Sequence, residues 1–302
     1  MKDPTYWKNY VRGKDPEEIE KKIKKIKIKS RRGLNLNVTY FEKDKNAPSI
    51  LGVNGIGCYS MLLAELGYCT HLRGYNVFGF DFQGHGDSEG ERGDFTIPLL
   101  VENSKDVVNF ISKNFNDRIG VIGGSLGGFV TFYLGLANSK VKSIVCQDPG
   151  ILSEKRFEKE VIRHRKRTAK IILFLAKRFV KFFPKHKIDI TTYIDLGGYI
   201  EREEDLKIYM NDPNIVKKFT LRSVISQIST PPPKPINKLK VPTMFLVPTR
   251  DKLMSISYVK DLFNKLPNIK KRFVKINGYH DYLIFHPKEA AKIICDWFDK
   301  TL

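Results

Sequence analysis

A serine set among glycines is the first feature with chemical meaning. Gly123-Gly124-Ser125-Leu126-Gly127-Gly128 reads G-x-S-x-G. It directly follows the apolar run Arg118-Ile119-Gly120-Val121-Ile122-Gly123 and directly precedes a helical-looking segment, 126–138. A serine nucleophile needs such a strand-to-helix turn, which lifts its hydroxyl clear of a sheet. Side chains two residues to either side would collide with the strand or the helix, so those positions call for glycine. The amides that follow lie at a helix N-terminus and favour developing negative charge. The run has neither GxGxxG spacing nor the Gly-Lys-Ser/Thr of a phosphate loop.

Serine attacks only when a base takes its proton. Of the histidines at 71, 85, 164, 186, 280 and 286, His280 follows the last strand-like run, in Ile276-Asn277-Gly278-Tyr279-His280. His286 precedes Pro287 and is expected to cap or pack near the final helix, and His85 to brace its loop. The imidazole in turn needs an acceptor that fixes its tautomer. Asp251 follows the run 243–248 and gives the chain order Ser125…Asp251…His280, while Asp148, after the run 141–146, is the rival acid. The oxyanion donors are expected to be the backbone N–H groups of Leu126 and of Ile56, the latter in Asn54-Gly55-Ile56-Gly57. No metal or organic cofactor is called for.

The elements that must position these groups can be read along the chain. Lys25-Ile26-Lys27-Ile28-Lys29 and 34–40 alternate in polarity and predict an antiparallel hairpin. Apolar runs at 49–53, 76–81, 118–123 and 141–146 are separated by helical patterns at 60–73, 98–114 and 126–138. That rhythm predicts a mostly parallel α/β sheet with helices on both faces. It breaks at Pro149-Gly150, gives way to helical periodicity over 151–230, and resumes after Thr230-Pro231-Pro232-Pro233 with strands at 242–248 and 271–276 and helices at 255–266 and 287–300. The expected organisation is an α/β core of residues 1–150 and 237–302, interrupted by a helical insertion, 151–236.

Composition bounds the rest. With 302 residues, 41% hydrophobic and 12% aromatic, the chain can build a real core. Its four cysteines form no CxxC pair, which argues against a disulfide framework or zinc knuckle and for a reduced, cytoplasmic compartment. The N-terminus leads into charge rather than an apolar leader, and no apolar stretch is long enough to span a bilayer. The net charge of +20 is uneven: residues 151–187 hold 13 Lys+Arg against 3 Asp+Glu, half of the excess. Within 161–183, Arg163, Lys166, Arg167, Lys170, Lys177 and Lys181 recur at helical spacing. Ile162, Ala169, Ile172, Leu173, Ala176, Phe179, Val180 and Phe183 populate the opposite side. Two readings are open: a helix packed on its own protein with solvated lysines, or a helix lying on anionic lipid. No nucleic-acid-binding signature accompanies the charge, so nucleic acid is not an expected partner.

These motifs together resemble the monoacylglycerol lipase and lysophospholipase-like group of serine hydrolases with the α/β-hydrolase fold, over about residues 24–300. The resemblance rests on Asp81-Phe82-Gln83-Gly84-His85-Gly86-Asp87-Ser88-Glu89-Gly90, the Ser125 motif, Val241-Pro242-Thr243 through Asp251, Gly278-Tyr279-His280, and Tyr209-Met210-Asn211-Asp212-Pro213. It implies a Ser-His-Asp carboxylic-ester hydrolase with a helical cap over an acyl pocket, hydrolysing medium or long acyl esters such as monoacylglycerol or lysophospholipid. In that family the cap often touches membrane. Thioester, amide or acyl-transfer chemistry on the same triad is the alternative, and a non-catalytic, basic membrane-associated binding protein is the alternative of another class. The sequence departs from the family at Asn54, where His is usual, at Gln83, where Arg is usual, and at Cys58 and Tyr59. These departures bear on head-group preference and on the bracing of the oxyanion loop.

Overall fold

Strands that are apolar at successive positions must be covered on both faces. The computed structural model, which describes residues 2–163, 168–192, 194 and 196–302, meets that requirement with one eight-stranded sheet. Its strands are β1 (Lys24–Lys29), β2 (Asn35–Phe41), β3 (Ser49–Val53), β4 (Asn76–Phe80), β5 (Ile119–Gly124), β6 (Val141–Gln147), β9 (Thr243–Pro248) and β10 (Lys271–Ile276). A separate antiparallel pair, β7 (Lys187–Asp189) and β8 (Lys218–Thr220), lies in the chain between β6 and β9. The large sheet runs β1-β2-β4-β3-β5-β6-β9-β10. β1 and β2 form the expected hairpin, β2 is also antiparallel to β4, and the remaining neighbours are parallel. This is the α/β-hydrolase fold.

The helices are α1 (Pro16–Lys22), α2 (Ala64–Leu72), α3 (Ile97–Asn114), α4 (Leu126–Ala137), α5 (Lys155–Arg163), α6 (Thr168–Phe179), α7 (Glu203–Asn211), α8 (Leu221–Ser229), α9 (Ile256–Asn264), α10 (Tyr282–Phe285) and α11 (Pro287–Phe298). Alternate strand residues feed two cores. Val121, Ile144 and Phe245 pack with residues of α3, α4 and α9, whereas Ile122, Val145 and Leu246 pack with residues of α2 and α11. The strand expectations agree with the structure to within two residues at either end. Helix α1 lies outside the expected elements, although Asp15 caps it by accepting from the Glu17 N–H and Pro16 opens it. So do β7 and β8, which are too short to show a period.

The segment between β6 and β9 is tied to the sheet by buried polar contacts. Tyr10 and Tyr59 both donate their hydroxyls to Asp212 Oδ2, at 3.1 and 3.0 Å, which accounts for the Asp of Tyr209-Met210-Asn211-Asp212-Pro213. Arg222 pairs with the buried Asp94, and Arg12 pairs with the buried Asp205 at 2.6 Å. The Val216 N–H donates to the Gly57 carbonyl at 2.9 Å. Gly57 has φ +72°, and a Cβ there would strike the Val216 carbonyl oxygen, so only glycine permits this approach.

The basic segment is only partly covered on its apolar side. Leu173 and Ala176 are buried, but Phe179 is 44% and Phe183 61% exposed. Ile171, Phe174, Leu175 and Phe182 join them at the surface. The apolar face is wider than the surface beneath α6 can cover, so its rim stays in solvent. The side chains of Ile162, Arg163, Lys166, Arg167, Ala169, Lys170 and Ile172, and all of His164, lie outside the described residues. Among the described residues, no helix is long and apolar enough to cross a membrane.

Candidate active site

Because β3, β5, β6, β9 and β10 are parallel, the loops after them open at one sheet edge. Ser125 sits between β5 and α4 with φ +57° and ψ −127°, a conformation that L residues rarely adopt. The glycines around it leave room for the turn. A Cβ at Gly123 would strike the Gly127 carbonyl, one at Gly127 the Val53 carbonyl, and one at Gly128 the Gln147 carbonyl. The strand, the helix and the neighbouring loops therefore meet backbone to backbone beneath the serine. Leu126 is the first residue of α4, so its N–H belongs to the group of helix donors that lack an intrahelical partner.

The loop after β3 runs beside the serine. A Cβ built on Gly55 would lie 3.7 Å from Ser125 Cβ. Asn54, buried, donates from Nδ2 to the Phe80 carbonyl at 2.6 Å and so pins the base of this loop. A backbone brace thus persists with asparagine at this position. Ile56 and Ser125 both line a cavity of about 160 Å³ with His280. Its walls are mostly apolar and draw on both the sheet edge and the segment between β6 and β9: Leu62, Phe129, Phe157, Ile194 and Leu253 are among them.

His280 follows β10 and aims Nδ1 at Asp251 Oδ2, 2.6 Å away. The Asp251 side chain is fully buried, and its Oδ1 accepts the Leu253 N–H at 2.6 Å. Burial alone would push the His280 imidazolium down, but the Asp251 carboxylate outweighs it and holds the group above its ordinary value. Burial likewise works against ionised Asp251, and the charge and hydrogen bond of His280 bring it below the usual carboxylate range. The rival Asp148 is at the same place: its Oδ2 lies 3.8 Å from His280 Nδ1, against 2.6 Å for Asp251. His85 and His286 go elsewhere. His85 is buried against Phe82, Phe95 and Phe219, with Nδ1 3.2 Å from the Gln83 carbonyl. His286 stacks on Tyr282 and meets Glu201 at 2.9 Å.

Residues 44–286 match the family described as serine aminopeptidase, S33. The chain belongs to this family of α/β-hydrolases. Its fold is similar to that of a soluble variant of monoglyceride lipase from Saccharomyces cerevisiae, with a TM-score of 0.74 and 17% identity over 92% of this chain and 95% of that one. A monoacylglycerol lipase from Paleococcus ferrophilus gives 0.70 at 20% identity, over 88% and 98%. An enol-lactonase from Burkholderia xenovorans gives 0.63 at 18%, over 91% and 100%. At these identities the likeness is one of fold. Among curated relatives, an uncharacterized 31.7 kDa protein of the traX-finO intergenic region of Escherichia coli is 34% identical over 93 residues, 30% of each chain.

Other groups of the S33 hydrolase site were missed from sequence. Gln147 Nε2 donates to the His280 carbonyl at 2.8 Å and holds the histidine loop from β6. The Tyr199 ring tilts over His280 with centroids 5.7 Å apart. Asp281, next to the histidine, is buried, and that burial raises its carboxyl to about 6. Gln147 adjoins Asp148 in the sequence, and that adjacency is the signal that points to it. Tyr199 carries no spacing signal.

Proposed function

We propose that this S33 hydrolase is a serine esterase or lipase acting on carboxylic esters of medium or long acyl chains, of the monoacylglycerol or lysophospholipid type. One observation carries the reading: a serine on a strained glycine turn shares an apolar cavity with a histidine that is hydrogen-bonded to a buried aspartate. Ser125 attacks the ester carbonyl as His280 takes its proton, and Asp251 holds the imidazole in the needed tautomer. The amides of Ile56 and Leu126 receive the oxyanion. His280 then protonates the leaving alcohol, and water activated by the same imidazole frees the acid from Ser125.

In this reading residues 1–150 and 237–302 are the catalytic core and 151–236 a cap that supplies much of the acyl pocket. The exposed Ile171, Phe174, Phe182 and Phe183, beside Lys177, Arg178, Lys181 and Lys185, support contact of that cap with an anionic lipid surface, peripheral to the membrane.

The test is a p-nitrophenyl acyl-ester series, run beside acyl-CoA, with wild type and Ser125→Ala. Ester turnover that falls by several orders of magnitude in the variant, together with fluorophosphonate labelling at Ser125, is the expected result. Undiminished turnover in the variant would end the assignment, acyl-CoA preference would move it to thioesters, and an unlabelled Ser125 would indicate a binding protein.

A further inference from the structure

Two carboxylates and one imidazole share a space with almost no access to water. The side chains of Asp148 and Asp251 have no exposed surface. One oxygen from each carboxylate and one His280 nitrogen all lie within 4.8 Å of one another. The two acids are not equally provided for. Asp251 accepts the His280 N–H and the Leu253 N–H, both at 2.6 Å. Asp148 Oδ2 has the Gln147 amide at 3.3 Å, and Asp148 Oδ1 meets no N–H or O–H donor among the described residues. Two neighbouring carboxylates facing a single imidazole cannot both hold a full negative charge out of water. A proton stays with the pair, and the acid with poorer donors is where it costs least.

We propose that Asp148 is that neutral carboxylic acid, a positioning residue that donates its proton in a hydrogen bond to Asp251 and sets how strongly Asp251 supports the His280 imidazolium. The proposal rests on the Ser125-His280-Asp251 reading above. The backbone favours the same view. Asp148 has φ +52°, one of two positive-φ non-glycine residues among those described, and the other is Ser125. A proline follows, and it favours extended backbone with negative φ at the residue before it, so Asp148 is held against that preference. A residue so held is committed to one direction. Burial, then the charge of Asp251, pushes the Asp148 carboxyl well above the usual range, and Asp251 is held below it.

Loss of the proton from Asp148 would place a second negative charge beside the imidazole. Donating it to Asp251 instead withdraws charge from Asp251, so the imidazolium is stabilised less and gives up its proton at lower pH. Facing these groups are Asp281, which adjoins His280 and whose carboxyl burial raises to about 6, the Gln147 amide from β6 and the Tyr199 ring.

The experiment measures kcat/KM against pH on a soluble p-nitrophenyl ester for wild type, Asp148→Asn and Asp148→Leu. Each is first shown to label with fluorophosphonate, so that failure of the serine mechanism itself is seen separately. Asparagine keeps a neutral group with an N–H donor, so the acid limb stays where it is in wild type. Leucine removes the donor, so the acid limb moves to higher pH. An acid limb that drops by about one pH unit or more in Asp148→Asn would mean that Asp148 is ionised in the native enzyme and would overturn the proposal. So would an unmoved limb in Asp148→Leu, which would make the residue a filler.

Discussion

At Ser125 the chain accepts an unfavourable backbone torsion, and the surrounding glycines are what make it tolerable. The same local economy does not apply to His280, whose basicity is set by neighbours from other loops. Because Asp251 stabilises the imidazolium, His280 keeps its proton to higher pH than a free imidazole does. A protonated base cannot accept from Ser125. Hydrolysis is therefore expected to fall as pH is lowered, with its acid limb above the ordinary imidazole value of 6.5. Asp251→Asn should cost on the order of 10⁴ in kcat, through the wrong tautomer, and move that limb down. A pH–rate profile of both proteins checks it; an acid limb well below 6.5 in wild type would separate His280 from the reaction.

At the level of elements, the site depends on how closely β3, β5 and α4 approach one another. Gly127 is the contact point, facing the Val53 carbonyl. Gly127→Ala must push α4 off the sheet and is expected to lose about 2–4 kcal/mol in urea unfolding together with most activity. Unchanged stability would mean that the turn has slack. This part of the molecule was legible in the sequence because it is local: glycine spacing, a strand before, a helix after. Asp251 and His280 were legible as strand-end residues. Gln147 and the contact between Asp148 and Asp251 were not, because three loops distant in the chain create them. How much of the apolar face of α6 is covered was not legible for a related reason. Periodicity tells which residues share a side, but the surface beneath the helix decides how many of them it hides, and here Phe179 and Phe183 stay out.

Taken whole, the molecule is a mildly basic body carrying one strongly basic segment whose exposed side chains include several aromatics. In the proposed contact with an anionic lipid surface, electrostatics and apolar insertion would act together. Phe174→Ser with Phe182→Ser is expected to reduce co-sedimentation with anionic vesicles by roughly 10-fold or more. Hydrolysis of a vesicle-dispersed ester should fall further than that of a dissolved one. Equal binding by wild type to neutral and anionic vesicles would remove the role of the charge.

The sheet order also imposes a sequence of events on synthesis. β5 pairs with β3 and β6 from the first half of the chain, but β6 must wait for β9, which the ribosome makes only after all of 151–236. The nascent chain thus carries the serine long before it carries the acid or the base. Under the proposed triad, the hydroxyl would stay chemically mute on the ribosome, and reactivity would arrive with the last two strands, when the cavity walls are already available to enclose it.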